Sequence, residues 1–212
     1  MTYLLAIDCS ITGEDSVSRP LVAEFSRAWL DAADGRQVRY RDLAADPVPH
    51  LTTAGLHYAP AMRRAHEVVD DAAAARQQEL IDEVAGAHAV VIGAPMYNWS
   101  IPSTLKAWID HLHVLGTTVP ADGSTGVFHG IPVIVVSPRG LAYDNADPTA
   151  AGDYTVPPIE KVLGESMGMK VTSVVVDYTL ATRMPPLAEH SGAADASLAA
   201  ASAELARLAS TL

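Results

Sequence analysis

The sequence predicts an α/β protein: one three-layer α/β/α sandwich built on a five-stranded parallel sheet. Three observations carry that prediction. Five short apolar runs are spread along the whole chain, each is followed by a stretch of helical three-to-four periodicity, and a run such as Ala89-Val90-Val91-Ile92 is apolar throughout. Strands that alternate with helices pair in parallel, and a parallel sheet needs helices over both faces. With 212 residues, 49% of them hydrophobic, the chain suits one sizeable core, so residues 1–212 are expected to form a single domain.

Tyr3 to Cys9 is the first strand candidate, followed by the polar segment "SITGEDSVS". Leu21, Val22, Phe25, Ala28, Trp29 and Ala32 then recur at helical spacing until Gly35, the residue type that most readily ends a helix. Val38 to Leu43 is a second, shorter strand, and the proline-punctuated "AADPVPHLTTAGLHYAPA" after it reads as a long loop. Residues 61–86, rich in alanine and charge with few breakers, are expected to be one helix leading into a strand at 89–94. Pro102 opens the next helix, which Leu105, Trp108, Ile109, Leu112 and Leu115 mark and Gly116 closes. Ile131 to Ser137 is a fourth strand, Pro158 to Met167 a helix, "KVTSVVVDY" a fifth strand, and the tail from Asp195 a helix.

A formal net charge of −11 argues against nucleic acid and anionic membrane surface as partners, because both would be repelled. Cys9 is the only cysteine, which excludes an intrachain disulfide and a cysteine-based zinc cluster. The start "MTYLLAIDCS" lacks the basic and small-residue pattern of a signal peptide, and no apolar run approaches the roughly 18 residues of a membrane span. A soluble, cytoplasmic protein is expected.

Open parallel sheets hold ligands beyond the carboxyl ends of their strands, so the loops after strands one, three and four are read together. The first carries Ser10, Ser16 and Ser18 just before Pro20, a residue that fits only the first helical turn. Hydroxyls, free amides and the positive end of a helix dipole suit a phosphate, although Ser16 or Ser18 could equally cap the helix, and one residue can do both. Neither Gly-x-x-x-x-Gly-Lys nor Gly-x-Gly-x-x-Gly is present, so a P-loop or dinucleotide site is not supported. The third loop, in "GAPMYNWSIPSTLK", leaves Tyr97, Asn98 and Trp99 at the mouth of a buried strand. A single phosphate joined to a planar aromatic, as in riboflavin phosphate, fits these two loops, whereas the blander reading has the aromatics roofing the core.

The segment "APMYNWSIPSTLKAWID" resembles that of the bacterial FMN-dependent NADH azoreductases and NAD(P)H:quinone oxidoreductases, a flavodoxin-like family. "SVSR" is similar to that family's Ser-x-Ser phosphate loop, "SPRG" to its Ser-Arg-Gly-Gly loop, and "RDLAADPVP" to its segment after the second strand. The resemblance runs in order over nearly the whole length. It implies that Ser10, Ser16, Val17 and Ser18 hold the phosphate of tightly bound FMN, while Met96, Tyr97, Asn98 and Trp99 with Ser137, Pro138, Arg139 and Gly140 line its ring. It also implies NADH or NADPH as electron donor, a quinone or azo compound as acceptor, ping-pong two-electron transfer, and a homodimer. Trp108 and His111, which widen the stripe of the helix from Pro102 to Leu115, make that helix the candidate dimer contact. The chain departs from the family pattern at Pro138, Leu141, Val119 and Pro120 and in the longer segment "DNADPTAAGDY".

Several other features carry no chemistry. "GESMG" matches a nucleophile elbow but lies between a helix and a strand, the reverse of the order that motif needs, so Ser166 is rejected as a nucleophile. His111 and His113 point to different helix faces and make a poor metal chelate. Cys9 reads as a buried structural thiol, and Asp8, a carboxylate beside a phosphate loop, has no account from sequence. No acid, base or nucleophile stands out in the three loops, as expected where a flavin carries the redox chemistry. Backbone donors around Arg139 and Gly140, and the charge of Arg139, are candidates for stabilising the reduced ring. The rival classes are an FMN electron carrier with no organic substrate of its own and a flavin-free interaction module on the same fold.

Overall fold

The computed structural model describes residues 2–143 and 152–212, so most of "DNADPTAAGDY" lies outside the described residues. Five strands, β1 (Thr2–Asp8), β2 (Arg36–Asp42), β3 (Ala89–Gly93), β4 (Pro132–Pro138) and β5 (Lys170–Val176), form one sheet in the order β2-β1-β3-β4-β5. All four pairings are parallel. The chain leaves β1 for one edge and returns to β3 on the other side, so the crevice of a doubly wound sheet opens above β1 and β3.

Successive strand residues face opposite sides, and the two cores record it. Leu4 and Ala6 of β1, Val91 of β3, and Ile134 and Val136 of β4 pack under α1 (Ser18–Asp31) and α5 (Ser191–Thr211). Leu5 and Ile7, Val90 and Ile92, and Val133 and Val135 pack on the other side. There they meet α2 (Asp71–Ala85), α3 (Ser103–Leu112) and α4 (Val156–Ile159), whose helical path continues through wider turns over Glu160–Ser166. The central strands are buried on both faces, whereas β2 and β5 at the edges alternate.

Three helices differ from expectation. Residues 61–86 are not one helix: α2 starts at Asp71, because the Asp70 carboxylate accepts the Ala73 amide at 2.8 Å and caps it. The preceding segment is held elsewhere, with Arg63 Nε donating to the carbonyls of Gly55 and Tyr58. The tail helix begins at Ser191, before Asp195, where small exposed residues leave no periodic signal. The helix opened by Pro102 stops at Leu112, ahead of Gly116, where the Thr118 hydroxyl donates to the Leu112 carbonyl and accepts the Val114 amide. Trp108 and His111 are also buried within this chain, so neither side chain is open to a dimer contact; His111 Nε2 lies 2.9 Å from the Pro49 carbonyl. Among the described residues, no helix is long and apolar enough to cross a membrane.

Candidate functional site

At the carboxyl ends of β1, β3, β4 and β5 lies a cleft of about 580 Å³. The β1 wall is the serine loop. Ser10, Ser16 and Ser18 are buried, and Val17 stands between the latter two as the residue that starts α1. Ser16 Oγ accepts the Arg19 amide at 3.2 Å, so it does cap the helix. Its contact with Ser18 Oγ is 3.4 Å, at the limit of a hydrogen bond, as is that of Ser10 Oγ with the Tyr97 hydroxyl; Ser10 Oγ also lies 3.0 Å from Thr12 Oγ1, where Thr12 can be the donor, so these hydroxyls can turn to a ligand in the cleft. Gly93 at the end of β3 lets α1 come this close, since a Cβ there would lie 3.2 Å from that of Ser18.

Behind this wall sits the network that explains Asp8. Its carboxylate is buried, accepts the Tyr40 hydroxyl at 2.8 Å, lies 3.8 Å from Arg19 Nη1 and does not line the cleft. Burial is the largest influence on Asp8 and pushes its carboxyl up, against the lowering by Tyr40 and Arg19. Arg19 also donates to the Ser10 carbonyl and grips Asp42, which holds the Asp42 carboxyl below its ordinary value. Cys9 is fully buried and its thiol is pushed well up, so it is inert.

The β3 wall is Pro95, Met96 and Tyr97. Tyr97 bridges to the β1 loop, its hydroxyl accepting the Ile11 amide at 2.9 Å. The next residues turn sharply: the amides and carbonyls of Tyr97 and Ser100 bond reciprocally at 2.9 and 3.0 Å, with Asn98 at φ 49° and Trp99 at φ 66°. Two left-handed central residues mark a turn of the I′ kind, unusual without glycine. The turn carries Asn98 and Trp99 out of the cleft onto the exposed surface, where Trp99 lies against Gly152.

Pro138 and Gly140 form the β4 wall. Ser137, one residue earlier in β4, does not line it, and its hydroxyl is buried without a hydrogen-bond partner among the described residues. Arg139 is turned inward. Its Nη1 lies 2.9 Å from Asp153 Oδ2 and its Nε 3.3 Å from Asp177 Oδ1, while its backbone amide donates to the Val176 carbonyl. Neither the charge nor the amide of Arg139 is free for a ligand. Strand alternation decides this: Pro138 and Gly140 face the cleft, and the residue between them faces its neighbours.

Eight of the twelve expected residues thus share the cleft, namely Ser10, Ser16, Val17, Ser18, Met96, Tyr97, Pro138 and Gly140, whereas Asn98, Trp99, Ser137 and Arg139 lie outside its lining. The fourth wall was missed: Thr179, Leu180, Thr182 and Arg183 follow β5, and Leu180 packs so closely on Gly140 that a Cβ there would lie 2.5 Å from Leu180 Cδ1. The same rule that selected the other three loops applied to this one, but its residues form no motif. Thr12 and Asp15 of the first loop also line the cleft. Of the remaining candidates, Ser166 precedes a strand and pairs with His113 at 2.8 Å away from this cleft, and among the described residues no cluster of metal ligands forms.

A family model described as flavodoxin-like fold matches residues 2–207. The chain belongs to that family. A curated relative from Kineococcus radiotolerans, an FMN-dependent NADH:quinone oxidoreductase, is 41% identical over 98% of this chain and 99% of its own length. Another of the same name from Streptomyces coelicolor is 38% identical over 89% of this chain and 85% of its own. Among solved structures, an azoreductase from Bacillus anthracis superposes with a TM-score of 0.80 at 22% identity, covering all of both chains, and so shares the flavodoxin-like fold. The strand order β2-β1-β3-β4-β5 is that of flavodoxin itself.

Proposed function

We propose that the chain is an FMN-dependent NAD(P)H oxidoreductase that reduces quinones, and by the same chemistry azo compounds. One observation carries the reading: three buried serines in the loop from β1 to the start of α1 face a cleft whose other walls are mostly apolar, in a chain 41% identical to an FMN-dependent NADH:quinone oxidoreductase. The residues present fit FMN. The cleft of about 580 Å³ lies within the usual range of ligand sites, roughly 300–1,000 Å³. Ser16 and Ser18 at the start of α1, with Ser10 after β1, offer hydroxyls to a phosphate, while Met96, Pro138 and Leu180 offer apolar surface to a planar ring.

Bound FMN supplies two-electron redox chemistry, taking a hydride equivalent from a nicotinamide and passing it to an acceptor. The chain binds, orients and excludes water. Tyr97 ties the serine loop to the β3 loop, Pro138 and Gly140 fix the floor, and Leu180 closes over Gly140. The exposed Trp99 lies outside the cleft on the left-handed turn, where it meets an incoming donor or acceptor. Trp99, Leu141 and Tyr154 form exposed apolar surface after β3 and β4, which supports a homodimer closing over the site without Trp108 and His111 in the contact. A cytoplasmic location suits a buried, unpaired thiol.

The test is direct. Purified protein supplied with FMN should turn yellow, lose that colour with NADH or NADPH and regain it with a quinone, and the two substrates should give parallel double-reciprocal lines. A protein that takes up no FMN would favour the interaction module, and one that binds FMN but is not reduced would favour the electron carrier.

A further inference from the structure

The serine loop presents a phosphate with hydroxyls and a helix start but with no cation. Arg19, the nearest in sequence, has its guanidinium occupied by Asp42 and the Ser10 carbonyl, and it does not line the cleft. Asp15 does line it, as an unpaired acid among the described residues. A phosphate monoester carries between about 1.5 and 2 negative charges at neutral pH, and here it must enter a chain of net charge −11. Hydroxyls and a helix start offset only part of that charge.

Among the described residues, Arg183 is the single cationic side chain in the lining. Its guanidinium is exposed and has no ion pair among the described residues, so it is free to meet an anion. The loop that carries it is nevertheless held firmly. The Thr179 and Leu180 amides donate to the carbonyls of Arg139 and Gly140, the Arg183 amide donates to Leu180 at 3.0 Å, and Ala181 is buried. At the base, Tyr178 sits at φ 59° and stacks on His190 with ring centroids 4.7 Å apart. A fixed backbone with a free guanidinium beside a cleft of buried hydroxyls is a preorganised anion contact.

We propose that Arg183 is the phosphate-recognising cation of this cleft, meeting from the β5 side the FMN phosphate that Ser10, Ser16 and Ser18 hold from the β1 side. The proposal rests on the FMN reading above. Arg183 lines the same cleft as those three serines, which favours the flavin's phosphate over that of the nicotinamide donor as its partner.

The experiment titrates flavin-free protein with FMN and, separately, with riboflavin, which has the same ring and no phosphate, following quenching of flavin fluorescence at low and moderate salt. Wild type should prefer FMN. Arg183→Ala should weaken FMN about ten- to a hundredfold, leave riboflavin unchanged and flatten the salt dependence of FMN binding. Equal losses for FMN and riboflavin would make Arg183 a merely structural residue and overturn the proposal. An unchanged FMN affinity with a raised KM for NADH would move the cation to the donor and overturn it as well. Wild type that binds neither flavin would instead sink the FMN reading itself.

Discussion

Arg19 and Asp42 are joined by two parallel hydrogen bonds, Nη1 to Oδ2 at 2.7 Å and Nη2 to Oδ1 at 2.9 Å, and the same guanidinium holds the Ser10 carbonyl at 2.8 Å. This pair anchors the serine loop to the end of β2. Arg19→Ala should destabilise the fold by about 1–2 kcal/mol, the lower part of the range because both partners are partly exposed, and loosen FMN binding through Ser10. Arg19→Lys should rescue little, since a lysine cannot supply the fork. Urea unfolding and FMN titration of both variants check this.

Asp42 and Asp8 should pull stability in opposite directions with pH. The Asp42 carboxyl is lowered chiefly by its hydrogen bonds from Arg19, so its contribution is present above the ordinary carboxylate range and is lost as pH falls through the lowered value. The Asp8 carboxyl is raised chiefly by burial, so its contribution is full below the ordinary value and is lost as pH rises through the raised one. Asp8→Asn, which can still accept the Tyr40 hydroxyl, should therefore gain on wild type as pH rises from the ordinary carboxylate value through the raised one. Urea midpoints across that range test the sign; a gap that widens toward acid would refute it.

Ser16→Ala combined with Ser18→Ala should weaken FMN by about 1.5–3 kcal/mol for each charge-assisted hydrogen bond lost. The fold should lose less, since the one helix-capping bond at stake is that of Ser16 to the Arg19 amide. Unchanged FMN affinity would remove the serine loop from the site.

Trp99→Gly should relieve a left-handed residue and leave stability unchanged or about 1 kcal/mol higher, because the side chain is 58% exposed and buries little. If the indole meets the flavin or its substrates, the same variant should shift the flavin spectrum or raise KM for the acceptor. A fall in stability with no change in either would place Trp99 among purely structural residues.

Arg139→Ala should be the most damaging single change, about 3–5 kcal/mol, because it leaves Asp153 and Asp177 without their cation. Burial already raises the Asp177 carboxyl against the pull of Arg139, so removing that pull raises it further and the variant should recover relative to wild type as pH falls. Thermal melts at mildly acidic and neutral pH would show the recovery.

Much of the molecule was legible in the chain because its signals are local. Five apolar runs, the stripe of Leu21, Val22, Phe25 and Trp29, and the serines before Pro20 each depend on residues within a few turns of one another. The sheet, the two-sided core and the first three walls of the cleft follow from them. Helix limits were less legible where a cap competes with a run, as at Asp70, or where small residues carry no period, as after Ser191.

What only the tertiary structure decided depends on which distant segments meet. That Trp108 and His111 lie inside the chain follows from α2 and the loop at Pro49 closing over α3. That Arg139 points away from the cleft follows from Asp153 and Asp177 converging behind β4, and that Asp8 stays out of the cleft lining follows from Tyr40 reaching it across the β1-β2 ladder. The loop after β5 joins the serine loop because α1 and α5 pack on the same face of the sheet, which brings Arg183 into the cleft with Ser16 and Ser18. Strand order and helix side are global properties of the packed sheet, and no local pattern of residues records them.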